Sequence, residues 1–438
     1  MRLLFRCILL AAVLPALAPA QQPATAPLRR RALAGVGASL AADGVGMRVT
    51  SVIPGGTGAA LGLRADDLIL RIGDAPMTSA EGFGKAMRSW RAGERVTLLV
   101  RRQGALVALA APAVAYPEER ADGLDIRYQA VTTDYGDRVR TIVARPAGAR
   151  GRLPAMLLVP WLSCSSVEMS MPQSLAALRD VLHGVARAGY AVWRVDKPGV
   201  GDSEGPDCSE LDYRRELAAY RAAYAEMRRS ADVDSGAIVL FGSSLGGSIA
   251  PQLAAEHRPR ALLIQGTYAR SWFEHIIDFE RRRLELSGRT PAEVDRDGRL
   301  LAELYAGYLL ERRTPADVIR EKPHLAAVWY DAPAHQFGRP AEFYHQVQQA
   351  QIGATWARLD VPTLVLWGDH DWIMAREDHE LIVRLLKGKG ELVVLPGLDH
   401  DLMRHGSPEA AFRDEPGQVT PEPLRVVREW LARVAPAR

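Results

Sequence analysis

The sequence predicts an α/β protein in which a mostly parallel sheet carries an inserted helical cap and is preceded by a small β-rich α+β domain. From about residue 118 to residue 438, short apolar runs alternate with helical patterns, the arrangement of a parallel sheet covered by helices. Between residues 268 and 359 no strand-like run occurs, so we expect a helical cap there. Residues 32–104 combine short alternating strands with one longer helix and are expected to form a separate domain.

The first 20 residues have the pattern of a secretory signal peptide. Two arginines come first, the run from Ile8 to Leu17 is a short apolar core, and residues 18–20 give an A-x-A cleavage site. The apolar run is too short to span a bilayer. We therefore expect residues 1–20 to be removed, leaving a periplasmic or secreted bacterial protein without a membrane span. Residues 21–31 are rich in Pro, Ala and Arg and are expected to be a linker.

Charge and motif content exclude several classes of function. The formal net charge is +3, and two of the positive charges lie in the predicted signal peptide, which leaves about +1. That balance does not provide the basic surface of a nucleic-acid-binding protein. The spacings H-E-x-x-H, C-x-x-C and that of a phosphate-binding loop do not occur, so we expect neither a metal ion nor a cofactor.

The first domain contains a run of residues with a recognisable pattern. The stretch Val52-Ile53-Pro54-Gly55-Gly56-Thr57-Gly58-Ala59-Ala60, with the following Leu61 to Leu70, resembles the PDZ domains of bacterial exported proteases. The resemblance implies a loop of Gly35, Val36, Gly37 and Ala38 whose amides hold the C-terminal carboxylate of a peptide. The next strand would then accept the peptide beside a helix at 79–90. The alternative is that this domain is only a structural or dimerising module.

The predicted elements of the larger unit follow one another in α/β order. A leading antiparallel pair is expected at Ile126–Thr132 and Val139–Arg145. The predicted core strands are Met156–Val159, Ala191–Val195, Ala237–Phe241, Ala261–Ile264, Thr363–Trp367 and Leu392–Leu395. Helices are predicted near 173–188, 209–229, 244–257, 374–386 and 420–434. Because the strands are apolar and rich in β-branched residues, we expect a sheet buried on both faces.

The most informative motif is Gly242-Ser243-Ser244-Leu245-Gly246, a G-x-S-x-G pattern that lies between a predicted strand and a predicted helix. Glycines two residues on either side of a serine allow a turn sharp enough to expose the serine hydroxyl. We therefore predict that Ser244 is a nucleophile.

Two later turns carry the other residue types that an activated serine requires. Asp371 follows one predicted strand in a G-x-x-D turn, and His400 follows another in a G-x-x-H turn. An imidazole takes the proton of the serine hydroxyl, and a carboxylate orients that imidazole and stabilises its charge. Since all three turns lie at the carboxyl ends of parallel strands, we expect them to converge. Asp369 and His405 remain alternatives for the acid and the base.

These three turns together resemble the α/β-hydrolase superfamily over residues 118–438. The stretches 196–205 and 371–374 look like those of serine esterases and aminopeptidase-like members with a helical cap. The resemblance implies an acyl-enzyme on Ser244 and hydrolysis of a small carboxylic ester. A serine peptidase acting on peptides recruited by the PDZ domain is the alternative, and a non-enzymatic PDZ adaptor with a hydrolase-like body is the third interpretation. Aromatic side chains of the cap are expected to enclose part of the substrate.

The chain departs from that family after its first core strand. Many members carry His-Gly there, whereas this chain has Pro160-Trp161-Leu162-Ser163-Cys164. The amide of Leu245 is expected to donate one hydrogen bond to the oxyanion, and the backbone of Trp161 or Leu162 the second.

Two cysteines remain after removal of the predicted signal peptide, Cys164 and Cys208. Cysteines of an exported protein can pair in the oxidising compartment they enter. Each follows a predicted core strand, and such loops share one edge of a parallel sheet. We therefore expect a disulfide that braces the loop containing Trp161; two unrelated buried thiols are the alternative.

Overall fold

The computed structural model describes residues 27–171 and 175–437. The predicted signal peptide at residues 1–20, and residues 21–26 of the predicted linker, lie outside the described residues. Within the described ranges, no helix has both the length and the apolar character needed to cross a membrane.

The N-terminal domain is a six-stranded antiparallel sheet with two helices. Its elements are β1 Val36–Leu40, β2 Met47–Val52, α1 Thr57–Ala60, β3 Leu68–Ile72, β4 Ala75–Pro76, α2 Ala80–Ser89, β5 Arg95–Arg102 and β6 Ala105–Pro112. The strand order is β1-β2-β3-β5-β6, with β4 paired to β3. Val49 of β2 and Val100 of β5 pack with Phe83 of α2 in one buried core, so the sheet and its longer helix share a single apolar interior.

The sheet of the N-terminal domain continues past residue 104, which is the predicted end of that domain. Gln103 and Gly104 both have positive φ, 49° and 87°, and form a two-residue hairpin turn. The turn pairs β6 with β5 along its whole length. Strand β6 has the sequence ALVALAAP, which contains no polar residue, so a period-two alternation of apolar and polar residues does not reveal it. We therefore place the end of the small sheet at Pro112.

The larger domain is built on an eight-stranded sheet. Its strands are β7 Leu124–Thr132, β8 Arg138–Pro146, β9 Leu153–Val159, β10 Ala191–Val195, β11 Val233–Ser243, β12 Ala261–Gln265, β15 Thr363–Gly368 and β16 Gly390–Leu395. The order is β16-β15-β12-β11-β9-β10-β8-β7. Strand β8 runs antiparallel to its neighbours β7 and β10, and the other neighbouring pairs are parallel. The predicted α/β class with a mostly parallel sheet is confirmed.

Helices cover both faces of this sheet. Those of the chain after residue 171 are α3 Ala176–Arg187, α4 Tyr213–Arg229, α5 Gly246–His257, α6 Trp272–Leu286, α7 Pro291–Tyr305, α8 Pro315–Glu321, α9 Ala341–Gln349, α10 Ile352–Arg358, α11 Arg376–Leu385, α12 Pro408–Phe412 and α13 Glu422–Val434. Successive residues of β11 pack on opposite faces: Leu240 lies in the core with α4 and α5, and Phe241 in the core with α3 and α13. The sheet is thus buried on both sides, as its apolar strands require.

Helices α6 to α10 lie between β12 and β15 and form the cap. Helices α6 and α7 each begin with a capping box, made by Ser271 with Glu274 and by Thr290 with Glu293. The cap also contains a small hairpin, β13 His335–Gln336 with β14 Arg339–Pro340. Strands of two residues are too short to show a sequence period, so the hairpin differs from the expected all-helical cap.

The end of the predicted linker is fixed to the larger domain by an ionic network. Arg30 donates to both Glu168 and Asp202, and the backbone amide of Arg31 donates to Asp202 as well. The buried Arg140 of β8 bonds the same two carboxylates. Because one set of carboxylates serves arginines from both parts of the chain, the N-terminal domain is held in a defined position on the larger one.

Candidate active site

The turn around Ser244 has the strained geometry of a nucleophile elbow. Ser244 follows β11 directly and has a φ of 56°, which non-glycine residues rarely adopt. A Cβ atom on Gly242 would lie 2.5 Å from the carbonyl oxygen of Gly246, and one on Gly246 would lie 1.9 Å from that of Val159. Only glycine fits at either position, so these residues permit the serine to stand between β11 and α5.

The structure brings the three predicted catalytic side chains together. His400 Nε2 lies 2.9 Å from Ser244 Oγ, and His400 Nδ1 lies 2.9 Å from Asp371 Oδ2. The other carboxylate oxygen of Asp371 accepts hydrogen bonds from the amides of Ile373 and Met374, each at 2.9 Å. The carboxylate is therefore held by its own turn and directs one oxygen at the imidazole.

The two alternatives from the sequence have other partners. Asp369 accepts a hydrogen bond from the amide of Gly397 at 2.6 Å and so joins the acid turn to the histidine turn. His405 Nε2 lies 2.9 Å from a carboxylate oxygen of Asp399. Both residues support the loops of the site, while Asp371 and His400 make the contacts that lead to Ser244.

Charge interactions within the site favour an ionised carboxylate and a basic imidazole. Burial alone would lower the pKa of His400, but the negative charge and hydrogen bond of Asp371 outweigh it and raise that pKa to about 9. Burial alone would raise the pKa of Asp371, and the interactions with His400 and with the amide of Met374 lower it instead. Neutral His400 can thus donate from Nδ1 to Asp371 and accept the Ser244 hydroxyl proton at Nε2.

Sequence reasoning missed one residue that fixes the histidine. Gln265 ends β12, donates from Nε2 to the backbone carbonyl of His400 at 2.7 Å, and accepts from Ser243 Oγ at 2.7 Å. A Cβ on the following Gly266 would lie 3.0 Å from His400 Nδ1, so a side chain there would press on the imidazole. The sequence did contain a signal for this role: Gln265 is the polar last residue of an otherwise apolar strand, at the sheet edge where the site lies.

A cavity of about 30 Å³ opens beside Ser244 and His400. Its apolar lining consists of Trp161, Leu175, Leu178 and Leu402. Residues 268–359 contribute nothing to the lining of this cavity within the described residues, so the expected aromatic contribution of the cap is not found here. The space next to the serine suits a short apolar group.

The three residues predicted to supply oxyanion donors lie close in sequence to residues that line this cavity. Leu245 directly follows Ser244 at the start of α5, where the first backbone amides form the positive end of the helix dipole. Trp161 lines the cavity, and Leu162 packs partly against the main core. The loop that carries both is joined to the loop after β10 by the predicted disulfide between Cys164 and Cys208. That prediction is confirmed.

The predicted peptide-binding loop is shorter than the sequence analysis expected. Gly35 has a φ of 64° and lies before β1, and its carbonyl accepts a hydrogen bond from the amide of Ile53. Val36, Gly37 and Ala38 are already part of β1 because their backbones pair with β2. Among the described residues, β1 is the end strand of its sheet and pairs only with β2. An unpaired strand edge is where a peptide strand is added in other PDZ domains.

A cavity of about 510 Å³ lies between the N-terminal domain and the larger domain. Ala34, Met87 and Arg88 line one side, and Cys164 and Cys208 line the other. The described residues contain no group of three or more His, Cys, Asp or Glu side chains placed to hold a metal ion.

Family models match both parts of the chain. The family model described as serine aminopeptidase, S33, matches residues 172–406, and a PDZ domain model matches residues 48–102. A comparison with curated proteins found no match.

Among solved structures, the esterase domain of a Rhodothermus marinus protein is similar, with 17% identity, 71% of this chain and 99% of that chain covered, and a TM-score of 0.44. An esterase of Pyrococcus furiosus is 13% identical over 73% of this chain and 97% of that chain, with a TM-score of 0.45. Est1E of Butyrivibrio proteoclasticus, solved with ferulic acid bound, is 17% identical over 69% of this chain and 99% of that chain, with a TM-score of 0.45.

Proposed function

We propose that this chain, which belongs to the serine aminopeptidase S33 family of α/β hydrolases and carries an N-terminal PDZ domain, cleaves carboxylic esters through an acyl-enzyme on Ser244. The observation that supports this most directly is the pair of 2.9 Å contacts that His400 makes, one with Ser244 and one with Asp371. A serine hydroxyl within hydrogen-bond distance of an imidazole that a buried carboxylate orients is the arrangement that activates serine as a nucleophile.

The reaction follows from this geometry. Ser244 Oγ attacks the ester carbonyl carbon while His400 Nε2 takes the hydroxyl proton, and Asp371 stabilises the resulting imidazolium. The carbonyl oxygen becomes an oxyanion, which accepts hydrogen bonds from the amide of Leu245 and from an amide of the loop that contains Trp161 and Leu162. The tetrahedral intermediate collapses, His400 gives its proton to the departing alkoxide, and an alcohol leaves.

Water then completes the cycle. His400 removes a proton from a water molecule, the hydroxide adds to the acyl carbon, and the second tetrahedral intermediate expels Ser244 Oγ. The proton on His400 returns to that oxygen, which releases the carboxylic acid and restores the starting state.

A serine peptidase is the second candidate, and the PDZ domain is the observation that favours it. The free edge of β1 could hold a polypeptide near the larger domain. The cavity next to Ser244 supports the ester interpretation, because a volume of about 30 Å³ leaves room for a small group beside the serine and not for an extended peptide.

The two candidates differ in the substrates they should turn over. We expect p-nitrophenyl acetate and butyrate to be hydrolysed with higher kcat/KM than the decanoate, because the longer chain exceeds the cavity, and with higher kcat/KM than aminoacyl-p-nitroanilides. Initial rates on this panel at one pH provide the measurement. Faster cleavage of the anilides would support the peptidase, and no turnover of any substrate would support the adaptor with a hydrolase-like body.

We also propose that the protein is exported to the periplasm or beyond. The signal-peptide pattern of residues 1–20 and the Cys164–Cys208 disulfide support this, because disulfides persist in oxidising compartments. Fractionation of bacteria that express the full chain should recover it outside the cytoplasm, and a variant without residues 2–20 should stay inside. Equal cytoplasmic retention of both would contradict export.

A further inference from the structure

A cluster of buried charged side chains lies beneath the loop that carries Trp161 and Leu162. Its members are Lys197 after β10, Glu216 of α4 and Arg339 of β14 in the cap. Lys197 is 1% exposed, and Glu216 and Arg339 are 0% exposed. Burying three charged groups together is costly unless each is paired. Their arrangement therefore needs an explanation, and the proposed ester hydrolysis assigns no role to any of them.

The ammonium of Lys197 is bound to the backbone of the oxyanion loop. Its Nζ donates to the carbonyl oxygen of Trp161 at 2.5 Å and to that of Ser163 at 2.6 Å. The two carbonyls flank Leu162, so one buried cation holds the backbone on both sides of that residue. Hydrogen bonds from a charged donor are about twice as strong as neutral ones, which makes this a firm anchor.

Fixing the Trp161 carbonyl also fixes the direction of an amide. The carbonyl of Trp161 and the N–H of Leu162 belong to the same peptide unit, and no cis peptide bond occurs among the described residues. In a planar trans unit the C=O and N–H bonds point in opposite directions. Because the carbonyl points at Lys197 in the interior, the amide of Leu162 points away from it. The amide of Trp161 belongs to the preceding peptide unit, which Lys197 does not hold.

The rest of the cluster keeps Lys197 in place. Glu216 lies 3.8 Å from its Nζ and also pairs with Arg339 and accepts from the hydroxyl of Tyr220. Arg339 in turn contacts the sulfur of Cys208, whose disulfide closes the same loop. Burial lowers the pKa of Lys197 to about 8, while Glu216 acts in the opposite direction. The loop is thus held by its disulfide on the outside and by a cation on the inside.

We propose that Lys197 is a positioning residue for the oxyanion loop: by binding the carbonyls of Trp161 and Ser163 it presents the amide of Leu162, and not that of Trp161, to the developing oxyanion. This inference rests on the proposed ester hydrolysis. It selects one of the two donors that the sequence leaves open. It also connects the cap to the oxyanion loop, because Arg339 of the cap pairs with Glu216, and Glu216 lies beside Lys197.

The test is replacement of Lys197 by methionine, which keeps the length of the side chain and removes its donors. Loss of a correctly directed oxyanion donor should lower kcat for a p-nitrophenyl ester by about a hundredfold. KM should change little, since the ground-state ester makes weaker hydrogen bonds to this amide. The inhibition constant of a trifluoromethyl ketone, which forms a charged hemiketal on the serine, should rise by the same factor as kcat falls.

Two controls separate this role from a purely structural one. Arg194→Met removes another fully buried cation, which binds Glu119 and the carbonyl of Val167, and should lower the unfolding temperature without the matched loss in kcat and ketone affinity. Lys197→Gln keeps an amide donor for one carbonyl and should give an intermediate loss; it replaces the methionine variant if that one does not fold.

The outcomes are distinct from failure of the proposed function. If the wild-type protein neither hydrolyses esters nor reacts with a fluorophosphonate at Ser244, the proposed hydrolysis fails and this inference fails with it. If the wild type is active, a folded Lys197 variant with unchanged kcat, or with reduced kcat and unchanged ketone affinity, overturns the positioning role alone.

Discussion

Replacing Ser244 by alanine is expected to lower kcat for a p-nitrophenyl ester by about 10⁵- to 10⁶-fold, with KM little changed. The substitution removes the hydroxyl oxygen that lies 2.9 Å from His400 Nε2, while the Cβ and the φ of 56° stay as they are. The variant should therefore fold like the wild type and still bind the ester. Rates from stopped assays on protein purified from a host without competing esterases provide the measurement.

Ser243→Ala is the matched control for that result. Ser243 is the preceding residue and equally buried, but its hydroxyl donates to Gln265 and does not contact the imidazole. We expect this variant to keep reaction with a fluorophosphonate, and peptide mass spectrometry should place the adduct on Ser244. An adduct on another residue, or Ser244→Ala activity close to that of the wild type, would contradict the assigned nucleophile.

The sheet and the convergence of Ser244, Asp371 and His400, the proposed catalytic residues, were predictable because their signals are local. Each core strand is a short apolar run, and each of Ser244, Asp371 and His400 follows such a run in a glycine-containing turn. Parallel strands place their carboxyl ends at one edge, so the order of the chain alone brings the turns together. The cysteine pair followed from the same rule, because both cysteines come after neighbouring strands at that edge.

Contacts made by single side chains across distant loops could not be predicted in the same way. Gln265 binds the backbone carbonyl of His400, and Lys197 binds that of Trp161. Neither side chain belongs to a sequence motif with the residue that it binds. The cap shows a related limit: its aromatic content was visible, yet Trp356, Tyr305 and Tyr344 are fully buried in ordinary packing. Composition gives the amount of aromatic surface but not the direction in which each ring points.

Strand β1 begins earlier than the resemblance to PDZ domains implied. The implied loop of residues 35–38 is a loop only at Gly35, because pairing between Val36 and Val52 already begins the strand. Backbone pairing depends on where a neighbouring strand ends, and a run of small residues such as Gly37 and Ala38 contains little information about that.

Replacing Asp371 by asparagine is expected to lower kcat by about 10⁴-fold, because an amide facing His400 Nδ1 cannot stabilise the imidazolium and favours the wrong tautomer. The pH dependence provides a second, independent readout. His400 must be neutral to accept the proton of Ser244, and its pKa in the wild type is raised to about 9 by Asp371. The wild-type kcat/KM should therefore rise with pH up to about pH 9.

In Asp371→Asn the charge and hydrogen bond that raise the pKa of His400 most are gone. Burial, which disfavours the charged imidazole, is then opposed only by the smaller effects of Asp399 and Asp401. The rising limb of the profile should then move to lower pH even though the overall rate falls. Asp369→Asn is the matched control, because Asp369 binds the amide of Gly397. We expect the rising limb of this variant to stay at the pH where the wild type has it. Profiles of kcat/KM between pH 5 and pH 10 for the three proteins decide the matter. If the limb moves in Asp369→Asn and stays fixed in Asp371→Asn, the orienting acid is the other aspartate.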